Sequence, residues 1–178
     1  MNIVLIGYRG AGKSVVGRLL AKRLGMEYVG MDAAIVKRAG MQIPEIVEKH
    51  GWPGFRDMES AEARELAGRD NLIIDTGGGV IERPENIETL QKNATIFWLK
   101  ARVETIVARI QGGTERPALT EGKTFTEEVA EVLERRTPRY RDAANFEIET
   151  DQLTPEQITG IVIQIMQKRG LRVDSNRD

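Results

Sequence analysis

The sequence predicts an α/β fold in which a five-stranded parallel sheet is flanked by helices on both faces. Two observations predict it. Short apolar, β-branched runs alternate along the chain with longer segments of helical spacing. The first of these runs also leads straight into Gly7-Tyr8-Arg9-Gly10-Ala11-Gly12-Lys13-Ser14, a glycine-rich loop built to hold phosphate.

The first strand is 3–6, apolar throughout, as a strand covered on both faces must be. A helix over 14–24 follows, with Val15, Val16, Leu19, Leu20 and Leu24 at helical spacing and Gly25 as its stop. Tyr28-Val29 forms the second strand, ending near Gly30. Asp32 stands where the cap of a 33–39 helix belongs, and Gly40 ends that helix. Pro44 suits the first turn of a 45–50 helix. Here His50, the single histidine, sits at the helix end. Trp52-Pro53-Gly54-Phe55-Arg56 reads as a turn, and 60–67 as the next helix. Leu72-Ile73-Ile74 is the third strand and runs into Asp75-Thr76-Gly77-Gly78-Gly79. Then come a helix over 84–91, a strand over 95–99 and a helix over 103–110. Residues 111–123 are polar and contain glycines and Pro117, the composition of an exposed loop. A helix over 126–136, a strand around Phe146 and Ile148, and a helix over 155–169 complete the core. Residues 171–178 are polar and expected to be disordered. With no repeat and no linker, 1–170 is expected to be a single domain.

Bulk properties narrow the function. A net charge of −1 over 178 residues carries no basic surplus for nucleic acid or a membrane surface. The absence of cysteine excludes disulfides, thiolate zinc sites and cysteine nucleophiles. The opening apolar run is too short for a signal-peptide core, so a soluble cytoplasmic protein is expected. With 5% aromatic residues there is no evident hot-spot cluster, and a monomer is expected.

The loop carries the chemistry. Its glycines let the backbone curl so that the N–H groups of Gly10, Ala11, Gly12, Lys13, Ser14 and Val15 can face one anion, and the following helix adds its dipole. Lys13 brings a point charge to the β- and γ-phosphates of ATP, and Ser14 a hydroxyl for Mg²⁺. Asp75 ends an apolar strand in the manner of a Walker B carboxylate, although an Asp there is also ordinary turn chemistry. Three consecutive glycines make sense where a small polar ligand presses on the main chain. Arg56, Arg116 and Arg136 are candidates to grip a carboxylate or phosphate through paired hydrogen bonds. Arg116 lies in the 111–124 segment, read as a mobile lid that excludes water from the reacting phosphoryl group.

Taken in order, these motifs resemble the shikimate kinases, of the nucleoside-monophosphate-kinase-like P-loop fold. The resemblance spans about residues 3–168 and rests on the loop, Asp32, Phe55-Arg56, Thr76-Gly77-Gly78-Gly79, Arg116-Pro117 and Arg136-Thr137-Pro138-Arg139-Tyr140. It implies transfer of the ATP γ-phosphoryl group to the 3-hydroxyl of shikimate. Asp32 would hold that hydroxyl and accept its proton, with 31–62 as the substrate-binding part. Arg56 and Arg136 would clamp the carboxylate, and Gly77, Gly78 and Gly79 would form a wall against the same substrate. Lys13 and Arg116 would stabilise the transferring phosphoryl. Arg109 and Pro155 would flank adenine. The family's usual Asp-x-Asp after the second strand is Gly30-Met31-Asp32 here, so its first, metal-holding carboxylate is missing. Asp75 is the candidate replacement, with Ser14 as its partner at the metal. Two rivals remain: a kinase of another hydroxy acid such as gluconate, and a nucleotide-binding module without turnover.

Overall fold

A computed structural model of the chain describes residues 1–110 and 124–170. Five strands, β1 (Asn2–Ile6), β2 (Glu27–Gly30), β3 (Leu72–Asp75), β4 (Ala94–Lys100) and β5 (Phe146–Glu149), form one sheet in the order β2-β3-β1-β4-β5. Every neighbouring pair is parallel, as the alternation of strands and helices predicted. Seven α-helices are described: α1 (Lys13–Leu24), α2 (Met31–Ala39), α3 (Ile43–Ala67), α4 (Pro84–Gln91), α5 (Val103–Ile110), α6 (Phe125–Ala143) and α7 (Pro155–Lys168).

The central strand explains why the sheet is covered twice. All of β1 is buried, and its side chains alternate between two cores. Val4 and Ile6 join Leu66 of α3, Leu90 of α4 and Tyr140 of α6 on one face. Ile3 and Leu5 join Val16 and Leu20 of α1 and Val162 of α7 on the other. A separate cluster of Ile35, Ile43, Ile46 and Phe55 holds α2 against α3.

Two local readings are corrected. Trp52 to Arg56 is helical rather than a turn: α3 is two helical halves that meet at Gly51, whose φ of 67° and ψ of 175° are non-helical. Pro53 lies in the first turn after this break, where a missing N–H costs little. Gly54 is needed because a Cβ there would lie 2.5 Å from that of His50. Burial of Phe55 among Ile35, Ile43 and Ile46 outweighs the local breaker signals. Likewise, α6 does not stop at Arg136 but runs through Pro138 to Ala143, because Tyr140 and Ala143 are buried under β4. One smaller shift concerns Asp32. Gly30 holds the cap position of α2, and Asp32 falls inside the first turn.

Candidate active site

The loop after β1, the start of α2 and the three glycines after β3 all gather at the carboxyl ends of the strands, where open parallel sheets place their ligands. They frame a cleft of about 500 Å³ that reaches from Lys13 and Ser14 past Asp75 to Asp32 and Gly78.

On the nucleotide side, Gly7, Gly10 and Gly12 have φ of 144°, 84° and 96°, a curl that only glycine adopts without strain. The Ala11 N–H donates to the Tyr8 carbonyl at 3.1 Å and closes the turn, while its methyl packs in the core. Lys13 is buried, and its Nζ donates to the carbonyls of Gly7 (2.9 Å) and Tyr8 (3.2 Å), which fixes the ammonium over the loop. Ser14 and Val15 are exposed at the mouth. Arg109 bridges the loop to the start of the β5–α7 connection. Its Nη1 donates to the Gly10 carbonyl and to Thr150 Oγ1, both at 3.3 Å, and its Nη2 to the Thr150 carbonyl at 3.2 Å. Pro155 opens α7 at the far end of that connection.

The strand register sets Asp75 beside the position of the missing carboxylate. Gly30 pairs directly with Asp75, so a carboxylate absent from the end of β2 is present on the next strand at the same level. Asp75 is buried, and its Oδ2 accepts from Ser14 Oγ at 2.6 Å and from Tyr28 Oη at 2.8 Å. Burial, then the charge and hydrogen bond of Asp75, push the Tyr28 phenol up to about 12, so it stays a donor. Among the described residues no three His, Cys, Asp or Glu side chains form a metal cage. Mg²⁺ at phosphate sites takes only one or two protein oxygens beside phosphate and water, so the Ser14–Asp75 pair suits such a site.

On the acceptor side, the three glycines act as a contact strip. A Cβ on Gly77 would lie 2.7 Å from Glu59 Oε1 and 2.8 Å from Asp32 Oδ1. One on Gly78 would lie 3.4 Å from the Arg9 nitrogen of the loop and 3.7 Å from Arg136 Nη1. One on Gly79 would overlap the Arg56 guanidinium. Asp32, Arg56 and Arg136 therefore converge on one strip that also touches the phosphate loop. The Tyr140 hydroxyl donates to the Gly78 carbonyl, and its ring stacks on Trp98, which steadies the strip.

Each arginine is aimed by a carboxylate that the sequence reading missed. Arg56 Nη1 donates to Glu59 Oε2 at 2.6 Å, and its guanidinium lies 5.4 Å from the ring centroids of both Trp52 and Phe55. Burial pushes the Glu59 carboxyl up, against the pull of Arg56. The signal for Glu59 was its i+3 spacing from Arg56, legible only once that segment is known to be helical. Arg136 is 4% exposed and donates from Nε to Glu82 Oε1 at 2.7 Å. Glu82 also pairs with Arg139 (2.6 Å) and Arg135 (3.2 Å). Burial opposes ionisation of Glu82, but the hydrogen bond and charge of Arg136, then Arg135 and Arg139, hold it below the usual carboxylate range. No local pattern in the sequence marks Glu82 or Tyr28. Arg116 and residues 111–123 of the lid expected at 111–124 lie outside the described residues.

The class that this fold and cleft define is the P-loop kinase of small molecules. A model of the shikimate kinase family, "SKI: Shikimate kinase", matches residues 9–167, and the chain belongs to that family. A shikimate kinase of Thermodesulfovibrio yellowstonii is 41% identical over 163 residues, 92% of this chain and 93% of that protein. One from Caldicellulosiruptor bescii is 38% identical over 164 residues, 92% and 94% of the two chains. Among solved structures, shikimate kinase from Acinetobacter baumannii in complex with shikimate superposes with a TM-score of 0.90 at 35% identity, covering 96% of this chain and 95% of that one.

Proposed function

We propose that this chain transfers the γ-phosphoryl group of ATP to the 3-hydroxyl of shikimate, giving shikimate 3-phosphate and ADP, with Mg²⁺ as the metal. Family membership supports the reaction. The observation that carries the residue assignments is the glycine strip, which meets Asp32, Arg56 and Arg136 on one side and the phosphate loop on the other. An anionic alcohol laid on that strip has its carboxylate at the arginines and a hydroxyl at Asp32. Phosphoryl transfer asks mainly for such positioning and for charge stabilisation.

Asp32 holds the 3-hydroxyl and takes its proton as the new O–P bond forms and the bond to the ADP oxygen breaks. Arg56 and Arg136 bind the carboxylate, and Gly77, Gly78 and Gly79 give it a close wall. Lys13 stabilises charge on the transferring group, and Arg116 is assigned the second positive charge there. Gly10, Ala11, Gly12, Lys13, Ser14 and Val15 cradle the phosphates, and Arg109 and Pro155 border the adenine. When bound, Mg²⁺ neutralises charge on the β- and γ-phosphates. The Ser14 hydroxyl donates its hydrogen bond to Asp75, which leaves the lone pairs of Ser14 Oγ for the metal. The chain works as a monomer in the cytoplasm, where ATP is supplied, on a small molecule rather than on nucleic acid or a membrane. The net charge of −1 is in keeping with that.

The Asp75 assignment has a direct test. Asp75→Ala is expected to raise the Mg²⁺ concentration for half-maximal rate about tenfold or more, with KM for shikimate unchanged. Gly30→Asp on that background is expected to recover part of the loss, because positions 30 and 75 are paired in register. An unchanged Mg²⁺ dependence in Asp75→Ala sinks the assignment.

A further inference from the structure

Asp75 does not stand alone. Its Oδ2 is held by two hydroxyl donors, Ser14 Oγ and Tyr28 Oη, and no hydrogen bond among the described residues falls on Oδ1. A carboxylate oxygen with two donors has its orientation fixed from both sides. Oδ2 is thereby committed to the protein, and Oδ1 is the oxygen left to the cleft.

The seat of Tyr28 is built for this task. Its ring lies against Gly17 of α1, where a Cβ would come within 2.8 Å of a ring carbon. The Arg18 guanidinium sits 5.4 Å from its centroid. Two residues along β2, on the same side of the strand, Gly30 leaves room for the hydroxyl: a Cβ there would lie 3.4 Å from it. At this level of the sheet the chain carries the phenol together with a carboxylate from β3.

We propose that Tyr28 is a positioning residue for the metal: its hydroxyl locks Asp75 so that Ser14 and Asp75 act as one preset pair, in place of the carboxylate that Gly30 lacks. The proposal rests on the reading that Asp75 serves the metal. Groups that orient metal ligands through hydrogen bonds commonly change metal affinity by 10- to 100-fold when removed.

The test is Tyr28→Phe, which keeps the ring and its contact with Gly17. Mn²⁺ serves as the probe, titrated by electron paramagnetic resonance into the full chain saturated with ADP, beside Asp75→Ala. The expected result is a rise of about tenfold in the Mn²⁺ Kd of Tyr28→Phe. Metal-free ADP affinity, shikimate affinity and melting temperature should stay at wild-type values. On the Asp75→Ala background, Tyr28→Phe should add nothing. If Asp75→Ala weakens Mn²⁺ binding and Tyr28→Phe does not, the role of Tyr28 is overturned while that of Asp75 stands. If neither variant weakens it, the metal reading fails, and this proposal with it. Equal losses of Mn²⁺ and metal-free ADP affinity in Tyr28→Phe would place the phenol in the nucleotide pocket instead and overturn the proposal.

Discussion

Asp32→Asn is expected to lower kcat with shikimate by about 10²- to 10⁴-fold, the usual contribution of a positioned general base. The carboxylate sits in the first turn of α2, and a Cβ on Gly77 would lie 2.8 Å from its Oδ1. Asparagine has nearly the same shape and can still hold a hydroxyl, but its amide cannot accept the proton. Shikimate Kd, measured by calorimetry, is therefore expected to change by less than about threefold, because the charged clamp at Arg56 and Arg136 is untouched. Equal losses in kcat/KM and in binding would make Asp32 a substrate anchor rather than a base. An unchanged kcat would remove it from the chemistry.

Arg136→Met is expected to raise KM for shikimate by about 10²-fold and to leave KM for ATP near its wild-type value. Truncating one partner of a buried charged pair costs about 2–5 kcal/mol, or about 30- to several-thousand-fold. Ordinarily such a change also leaves a buried charge stranded. Here Glu82 keeps Arg139 at 2.6 Å and Arg135 at 3.2 Å, so its carboxylate stays paired and the fold should survive. Methionine preserves most of the stem volume and removes the guanidinium that faces Gly78. The profile to look for is a selective loss of shikimate affinity with a melting temperature close to wild type. A parallel rise in both KM values would mean that the substitution disturbs the whole cleft. No rise in KM for shikimate would free Arg136 from the carboxylate.

Much of the architecture was legible in the sequence because its signals are local. Strand cores such as Ile3 to Ile6 and helix stops such as Gly25 and Gly40 need only a few neighbours to be read, and both glycines take the left-handed cap geometry. Helix α4 and helix α5 fall where the spacing placed them. The turn read at 52–56 and the helix end read at Arg136 both gave way to packing beside a proline. Pro53 and Pro138 both lie inside helices whose buried faces carry Phe55 and Tyr140.

The site divides in the same way. Lys13, Ser14, Asp32, the glycines and the arginines are marked by residue type and motif. Their orienting partners are not, because those pairs are set by the fold. Tyr28 meets Asp75 across 47 positions and Arg136 meets Glu82 across 54, and nothing near either residue announces the contact. The carboxylate absent at Gly30 was visible as a gap, and Asp75 was the candidate to fill it. Only the register of β2 on β3 brings the two to one level.

The most direct measurement is steady-state turnover of the chain with ATP, Mg²⁺ and either shikimate or gluconate, with ADP followed by a coupled assay and the product by ³¹P NMR. The expected result is one ADP per shikimate consumed, a single phosphomonoester at the 3-position, and no comparable rate with gluconate. ADP release that is indifferent to shikimate, or faster with gluconate, would contradict it.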